Sequence, residues 1–370
     1  MKKIGVVTTH YASNYGALLQ TFALQKYLLN LGYDAEVLAY YPKHYKDYWR
    51  VMPRPTSKQG LIFLAYRLLH PKGIFNTFRR LSKMKRFIRE DIRCSKSYSS
   101  LEEIMADDPK YDYLICGSDQ IWNVTRHPTV NKVWFLQLDG KWSDIPRIAY
   151  APSMTDPIPK DMKEEVSQYI NTFKALSVRE ASDVNQLATL TDKKIEHVCD
   201  PVFLLSPEDW QKYIVEPKRK KPYILCYFLS PSKTAIKLVD KLKELTGMEV
   251  VLFHINLRKK VKCDKVVGGN GVFEFPGYVK NAAYVVTNSF HCTAFSVLFQ
   301  KNVFIVKRPT ANSRIESLTA LAGIGDRFFD DERISRMTKA DLEIDYSQSS
   351  SKMNDFIKHS KNYLEKALEG

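Results

Sequence analysis

The chain lacks any apolar run near the ~20 residues that would span a bilayer, and it has no CxxC pair and no Cys/His cluster at metal-ligand spacing. Cys94, Cys116, Cys199, Cys226, Cys263 and Cys292 are widely scattered. That scatter argues against a disulfide scaffold and against structural zinc. Cys116 and Cys226 sit inside strand-like runs and read as small core residues in a reducing compartment. No GxGxxG fingerprint is present, so a dinucleotide cofactor has no support. Short repeats and low-complexity tracts are absent too. Acidic residues are in deficit, 41 against 56 Lys and Arg, which leaves a formal charge of +15 and favours anionic partners. The start, Met1-Lys2-Lys3, resembles a signal peptide only superficially, because the apolar residues after it merge into a strand–helix unit. The expected location is cytoplasmic.

What is present is alternation. At 370 residues, 44% of them hydrophobic, the chain suits two packed domains. Strand-like runs cover Ile4–Thr9, Ala35–Tyr40, Tyr113–Cys116, Ile148–Tyr150, Leu176–Val178 and Ile195–Cys199, with helical patterns at Ala17–Leu29 and Asp161–Lys174. Prolines then bracket a basic run at Glu216–Pro222, a linker by composition. The pattern restarts with strands at Tyr223–Leu229, Glu249–Ile255, Tyr284–Thr287 and Val303–Val306, and helices at Lys233–Thr246, His291–Gln300 and Ser313–Leu321. It predicts an α/β protein of two doubly wound, Rossmann-like domains with the active site in the interdomain cleft. The expected partition is 1–215, carrying a basic helical insertion at about 45–110, then 216–345. Residues 346–370 form a terminal piece whose helix, Met353–Leu368, packs back across the interface.

The positive charge is concentrated. Between Lys58 and Lys96 eleven Lys and Arg face two acids, interleaved with Phe78, Leu81, Met84, Phe87 and Ile88 at helical spacing. Such helices suit an anionic membrane surface or a polyanion, and equally a plain core-covering role with the cations in solvent. No nucleic-acid motif accompanies the charge.

Several strand ends carry chemistry. Val285-Val286-Thr287 runs into Asn288-Ser289-Phe290-His291-Cys292, a turn opening a helix. The unpaired N–H groups of a first helical turn favour an anion, and histidine is a residue type suited to proton transfer near neutral pH. The alternative is an ordinary turn in which Ser289 only caps the helix. Gly117-Ser118-Asp119-Gln120-Ile121-Trp122 follows another strand, so Asp119 could take a proton from a sugar hydroxyl and Trp122 could stack on a pyranose; alternatively Asp119 is a cap and Trp122 is core. Asn14, Tyr15 and Gly16 open the first helix. Arg179, just beyond Leu176-Ser177-Val178, wants a bidentate anion or pairs with Glu180 or Asp183. Asp200-Pro201 stops a strand, and Asn312-Ser313-Arg314 begins a helix that offers a second anion site.

Taken in order, Ser13-Asn14-Tyr15-Gly16-Ala17, Gly117-Ser118-Asp119-Gln120-Ile121-Trp122, Ser177-Val178-Arg179-Glu180, Asp200-Pro201, Ser289-Phe290-His291 and Asn312-Ser313-Arg314 resemble the polysaccharide pyruvyl transferase family over nearly the whole chain. The resemblance implies a GT-B-like fold and transfer of the enolpyruvyl group of phosphoenolpyruvate to a sugar diol, with a pyruvate ketal and phosphate as products. It implies an N-terminal acceptor side and a C-terminal donor side. It links His291 and Arg179, and Arg314 less directly, to phosphoenolpyruvate; the residue chemistry adds Asp119 beside His291 for catalysis, and Ser289 and Asn288 for donor binding. The acceptor would meet Asn14, Tyr15, Gly16, Ser118, Gln120 and Trp122. No cofactor or metal is required, since cations supply the charge compensation. A lipid-linked acceptor would bring the basic region to the inner face of the cell membrane. Where many family members have glycine after the histidine, this chain has Cys292, whose side chain could crowd a phosphate. The rival readings are a nucleotide-sugar glycosyltransferase on the same scaffold and a non-catalytic polyanion-binding protein.

Overall fold

The computed structural model describes residues 1–42, 45–52, 61–62, 64–65, 69, 71–108, 110–126, 130–253, 261–310 and 312–369. Short apolar runs rich in Val, Ile and Tyr form the strands, and most are buried along their length, as expected for parallel sheets covered on both faces. The chain divides into two compact units. The first comprises Met1–Tyr45, Ile88–Ser206 and Ser350–Gly370, and the second Lys46–Phe87 and Pro207–Ser349.

In the first unit the strands are β1 (Lys3–Val7), β2 (Asp34–Tyr40), β3 (Cys94–Tyr98), β4 (Tyr113–Cys116) and β5 (Arg147–Ala149), in the order β3-β2-β1-β4-β5. All are parallel. A two-stranded sheet of β6 (Leu176–Val178) and β7 (Ile195–His197) continues from β5 through a bridge between Ile148 and Ala175. The second unit repeats the plan with β8 (Tyr223–Tyr227), β9 (Glu249–Phe253), β10 (Lys265–Val267), β11 (Tyr284–Thr287) and β12 (Asn302–Ile305), ordered β10-β9-β8-β11-β12. Each sheet therefore has its topological switch point between its first and fourth strands, where doubly wound folds bind ligands.

The partition differs from the sequence expectation in three places. Residues 46–87 of the basic insertion group with the second unit. Their helix, Pro71–Asp91, is tied there by Lys83 to Glu274 at 2.5 Å and by Phe87 edge-on to Phe273 at 5.0 Å. The apolar stretch 60–69, for which apolar spacing also predicts a helix, is described at 61, 62, 64, 65 and 69, each of them helical, and its other residues lie outside the described ones. The terminal helix, Ser347–Glu369, belongs from Ser350 onward to the first unit. There Ser360 accepts the Cys199 N–H at 2.9 Å, and Tyr363 donates to the Ala149 carbonyl at 2.8 Å. The boundary falls at Ser206–Pro207, so the proline-bracketed run at Glu216–Pro222 lies inside the second unit.

Candidate active site

At the first switch point β4 is followed by Gly117, at φ +137, where a Cβ would lie 1.9 Å from the Tyr150 carbonyl oxygen; only glycine fits. Asp119 follows at φ 62 and ψ −164, a region that costs a non-glycine residue about 1–3 kcal/mol. Its surroundings hold it there. Ser118 donates to the Ala151 carbonyl at 2.5 Å, its N–H reaches Gln20 Oε1 at 3.2 Å, and the Asp119 carbonyl accepts from Ile121 and Ser153 at 2.8 and 2.9 Å. The Asp119 carboxylate stays partly exposed beside the Thr9 hydroxyl.

Arg179 lies behind it, with a side chain only 2% exposed. Its guanidinium reaches Asp200 at 2.7 Å, Glu180 at 2.9 Å and Asp119 at 3.8 Å. Burial opposes its charge, but these three carboxylates hold it firmly protonated. Next to them burial, then the Glu180 charge, pushes the Asp183 carboxyl up to about 8, so at neutral pH it carries a proton toward Glu180. One cation against three carboxylates leaves this corner net negative. The guanidinium expected to bind the donor is thus paired with carboxylates of its own unit.

The expected acceptor residues separate. Asn14 is exposed, but its Oδ1 is engaged as the cap of helix Tyr15–Asn30, accepting from Gly16 and Ala17 at 2.9 and 3.3 Å. Tyr15, Gly16 and Ser118 are buried. Gln120 is partly exposed and donates to Thr155 at 2.8 Å. Trp122 is not a sugar platform: 1% exposed, it stacks on Phe135 at 5.0 Å and donates its indole N–H to the Trp134 carbonyl. Stabilising the core is its task.

Two residues here escaped the sequence reading. Gln20 cross-links Thr8, Ala17, Thr21 and Ser118, joining the ends of β1 and β4. His10 is fully buried between the rings of Tyr11 and Tyr41, with Nδ1 on the Thr8 carbonyl at 3.2 Å. Burial pulls it down to about 4 despite that bond, so the ring is neutral. Its place one turn past β1 was the available signal.

The second switch point is built differently. Asn288 is spent on the scaffold, accepting the Leu229 N–H at 2.9 Å and donating to the Ser230 carbonyl at 2.8 Å, which pins the end of β8 to the end of β11. Ser289 caps helix Phe290–Leu298 through the Cys292 N–H at 3.5 Å. His291 stands in the first turn, its ring edge-on to Phe290 at 5.1 Å. On the same Phe290 ring lies the Arg314 guanidinium, 5.8 Å from the centroid. Arg314 is aimed by helix Ser313–Leu321, whose entrance is closed by Asn312 and Arg308 exchanging hydrogen bonds at 2.8 and 2.7 Å. Histidine, guanidinium and helix N-terminus thus converge around one aromatic ring.

No curated protein matches the chain in sequence. A family model described as polysaccharide pyruvyl transferase matches residues 14–308, which takes in both switch points and every expected site residue except Arg314. Among solved structures, a Listeria monocytogenes protein described as a UDP-N-acetylglucosamine 2-epimerase aligns over 100% of this chain and 96% of its own, with 10% identity and a TM-score of 0.55. The S. aureus MnaA–UDP co-structure aligns over 98% and 91%, at 13% identity and a TM-score of 0.49. Acinetobacter baumannii MurG aligns over 98% and 94%, at 12% and 0.44. At these identities the likeness is one of fold; the doubly wound architecture expected from the alternation, GT-B-like as the family resemblance implies, is the one observed.

Proposed function

The chain belongs to the polysaccharide pyruvyl transferase family, and from that premise we propose that it moves the enolpyruvyl group of phosphoenolpyruvate onto a sugar diol. One observation carries the choice of donor: His291, Arg314 and the N-terminus of helix Phe290–Leu298 gather around Phe290. Phosphoenolpyruvate brings a carboxylate and a phosphate, which need cations and oriented N–H donors.

In this reading a proton added to the methylene carbon makes a methyl group and an oxocarbenium-like centre at the neighbouring carbon. A sugar hydroxyl attacks that carbon. The carbon–oxygen bond to phosphate breaks, and a second hydroxyl closes the ketal. The two hydroxyl protons balance the proton taken up by carbon and the one carried by the leaving phosphate. His291 serves as the acid or as a phosphate ligand, Arg314 neutralises the donor, and Asp119 accepts the acceptor's proton. No metal or cofactor is invoked.

Calorimetry with phosphoenolpyruvate, combined with phosphate-release assays on candidate sugar acceptors, tests the assignment. His291→Ala and Arg314→Ala should each weaken donor binding roughly 10- to 100-fold, the range for hydrogen bonds to charged groups. Asp119→Asn should leave that affinity within twofold while slowing phosphate release about 10²- to 10⁴-fold. Saturable binding of a nucleotide sugar, with no phosphate released from phosphoenolpyruvate, would instead assign a glycosyltransferase.

A further inference from the structure

Helix Pro71–Asp91 covers part of the second unit with Thr77, Arg80, Leu81, Met84 and Phe87. The opposite face of such a helix is ordinarily polar. Here Phe75 and Phe78 stand on it, each 59% exposed, in line with exposed Lys72, Arg79, Lys85, Arg86 and Arg89. The spacing puts Phe75, Phe78, Arg79, Ser82, Arg86 and Arg89 on one stripe along a helix roughly 30 Å long. Arg79 lies over the Phe75 ring at 5.9 Å, so cation and aromatic share one patch. Leu61, Ile62 and Leu69 are exposed just before it; of eleven large apolar side chains exposed among the described residues, five fall between 61 and 78. That concentration is the anomaly, since isolated exposed apolar residues need no explanation.

We propose that this face docks on an anionic lipid bilayer, with Phe75 and Phe78 entering the headgroup region and the surrounding cations meeting lipid phosphates. Charge complementarity selects the occupant: five exposed Lys and Arg against two acids at the helix end suit a negative surface. The paired phenylalanines select a surface with an apolar interior over a soluble polyanion. Arg80 takes no part, being buried with its guanidinium on the Met84 sulfur at 3.7 Å. The inference stands apart from the transfer reaction proposed above.

Sedimentation with vesicles of phosphatidylcholine containing 30% phosphatidylglycerol tests it on the full chain. Wild type should bind these vesicles, and bind pure phosphatidylcholine far less. Arg79→Glu/Lys85→Glu should lower partitioning about 30-fold or more, from roughly 1 kcal/mol per basic residue near the surface. Phe75→Ser/Phe78→Ser, at exposed positions where folding is undisturbed, should lower vesicle binding while leaving binding to dextran sulfate intact. The charge-matched Lys237→Glu/Lys241→Glu variant, on another helix, should bind vesicles like wild type. Equal loss in that control would assign the binding to overall charge and overturn the proposal. So would vesicle binding that survives the Phe75/Phe78 change, or no vesicle binding by wild type.

Discussion

At the ends of β1 and β4 the first unit packs Asp119, Glu180 and Asp200 around a single guanidinium, whereas at the matching ends of β8 and β11 the second unit sets His291 and Arg314 at a helix N-terminus. Strand order is identical in the two sheets, so topology does not decide which side chains gather at the switch point. Those side chains arrive from beyond the sheet. In the first unit they come from the loops after β6 and β7, and in the second from the helix after β12. One scaffold thus carries a guanidinium ringed by carboxylates in one unit and a histidine and guanidinium beside a helix N-terminus in the other.

The strongest test of that contrast is Arg179→Met. If the guanidinium serves the carboxylates, its loss leaves Glu180 and Asp200 buried without compensation and should cost about 3–5 kcal/mol of stability. Urea denaturation reads this directly. A variant within about 1 kcal/mol of wild type that nonetheless binds phosphoenolpyruvate poorly would return Arg179 to the donor side and erase the distinction between the corners.

A second test bears on how negative the first corner is. Asp183 in the folded chain is raised to about 8, first by burial and then by Glu180, from the ~3.9 of a free carboxyl. Stability from its protonated form is complete below about pH 4 and is lost progressively as pH rises through 8. Asp183→Asn keeps the donor at every pH and keeps an acceptor for the Met154 N–H, which Asp183 binds at 2.9 Å. The variant should therefore match wild type near pH 4 and exceed it by a few kcal/mol, in order of magnitude, at pH 8.5. Parallel stability curves would mean that the folded chain already carries Asp183 ionised.

The fold was legible wherever burial wrote a run of apolar residues. Tyr113–Cys116, Leu176–Val178 and Tyr284–Thr287 are strands over the residues expected, and the other expected strands differ only at their ends, Glu249–Ile255 stopping at Phe253 with the rest beyond the described residues. The two strands missed, Cys94–Tyr98 and Lys265–Val267, occupy the same outer position of their sheets. An edge strand with exposed Lys96 or Lys265 has little apolar signature to read. In the site, motif position located Asp119, Arg179, His291 and Arg314, but partners followed from folding alone: nothing local shows that Arg179 would meet Asp200, twenty-one residues away. Trp122 misled for the opposite reason, since a tryptophan beside a polar motif looks the same in sequence whether it faces sugar or core.

Cys292 gives the smallest effect and separates side chain from backbone at the second corner. Glycine is common after the family histidine, and a larger residue was expected to crowd a phosphate. The side chain is fully buried, and burial pushes its thiol up to about 12, so what it offers the corner is its backbone N–H, shared with Ser289. Cys292→Gly should cost about 0.3 kcal/mol from helix propensity and about 1 kcal/mol from the space left behind. Affinity for phosphoenolpyruvate should stay within twofold by calorimetry. A tenfold gain would place the sulfur in the donor's way; an unchanged affinity leaves the family glycine as one packing solution among others, because the anion is met by main chain at a position where the side chain points inward.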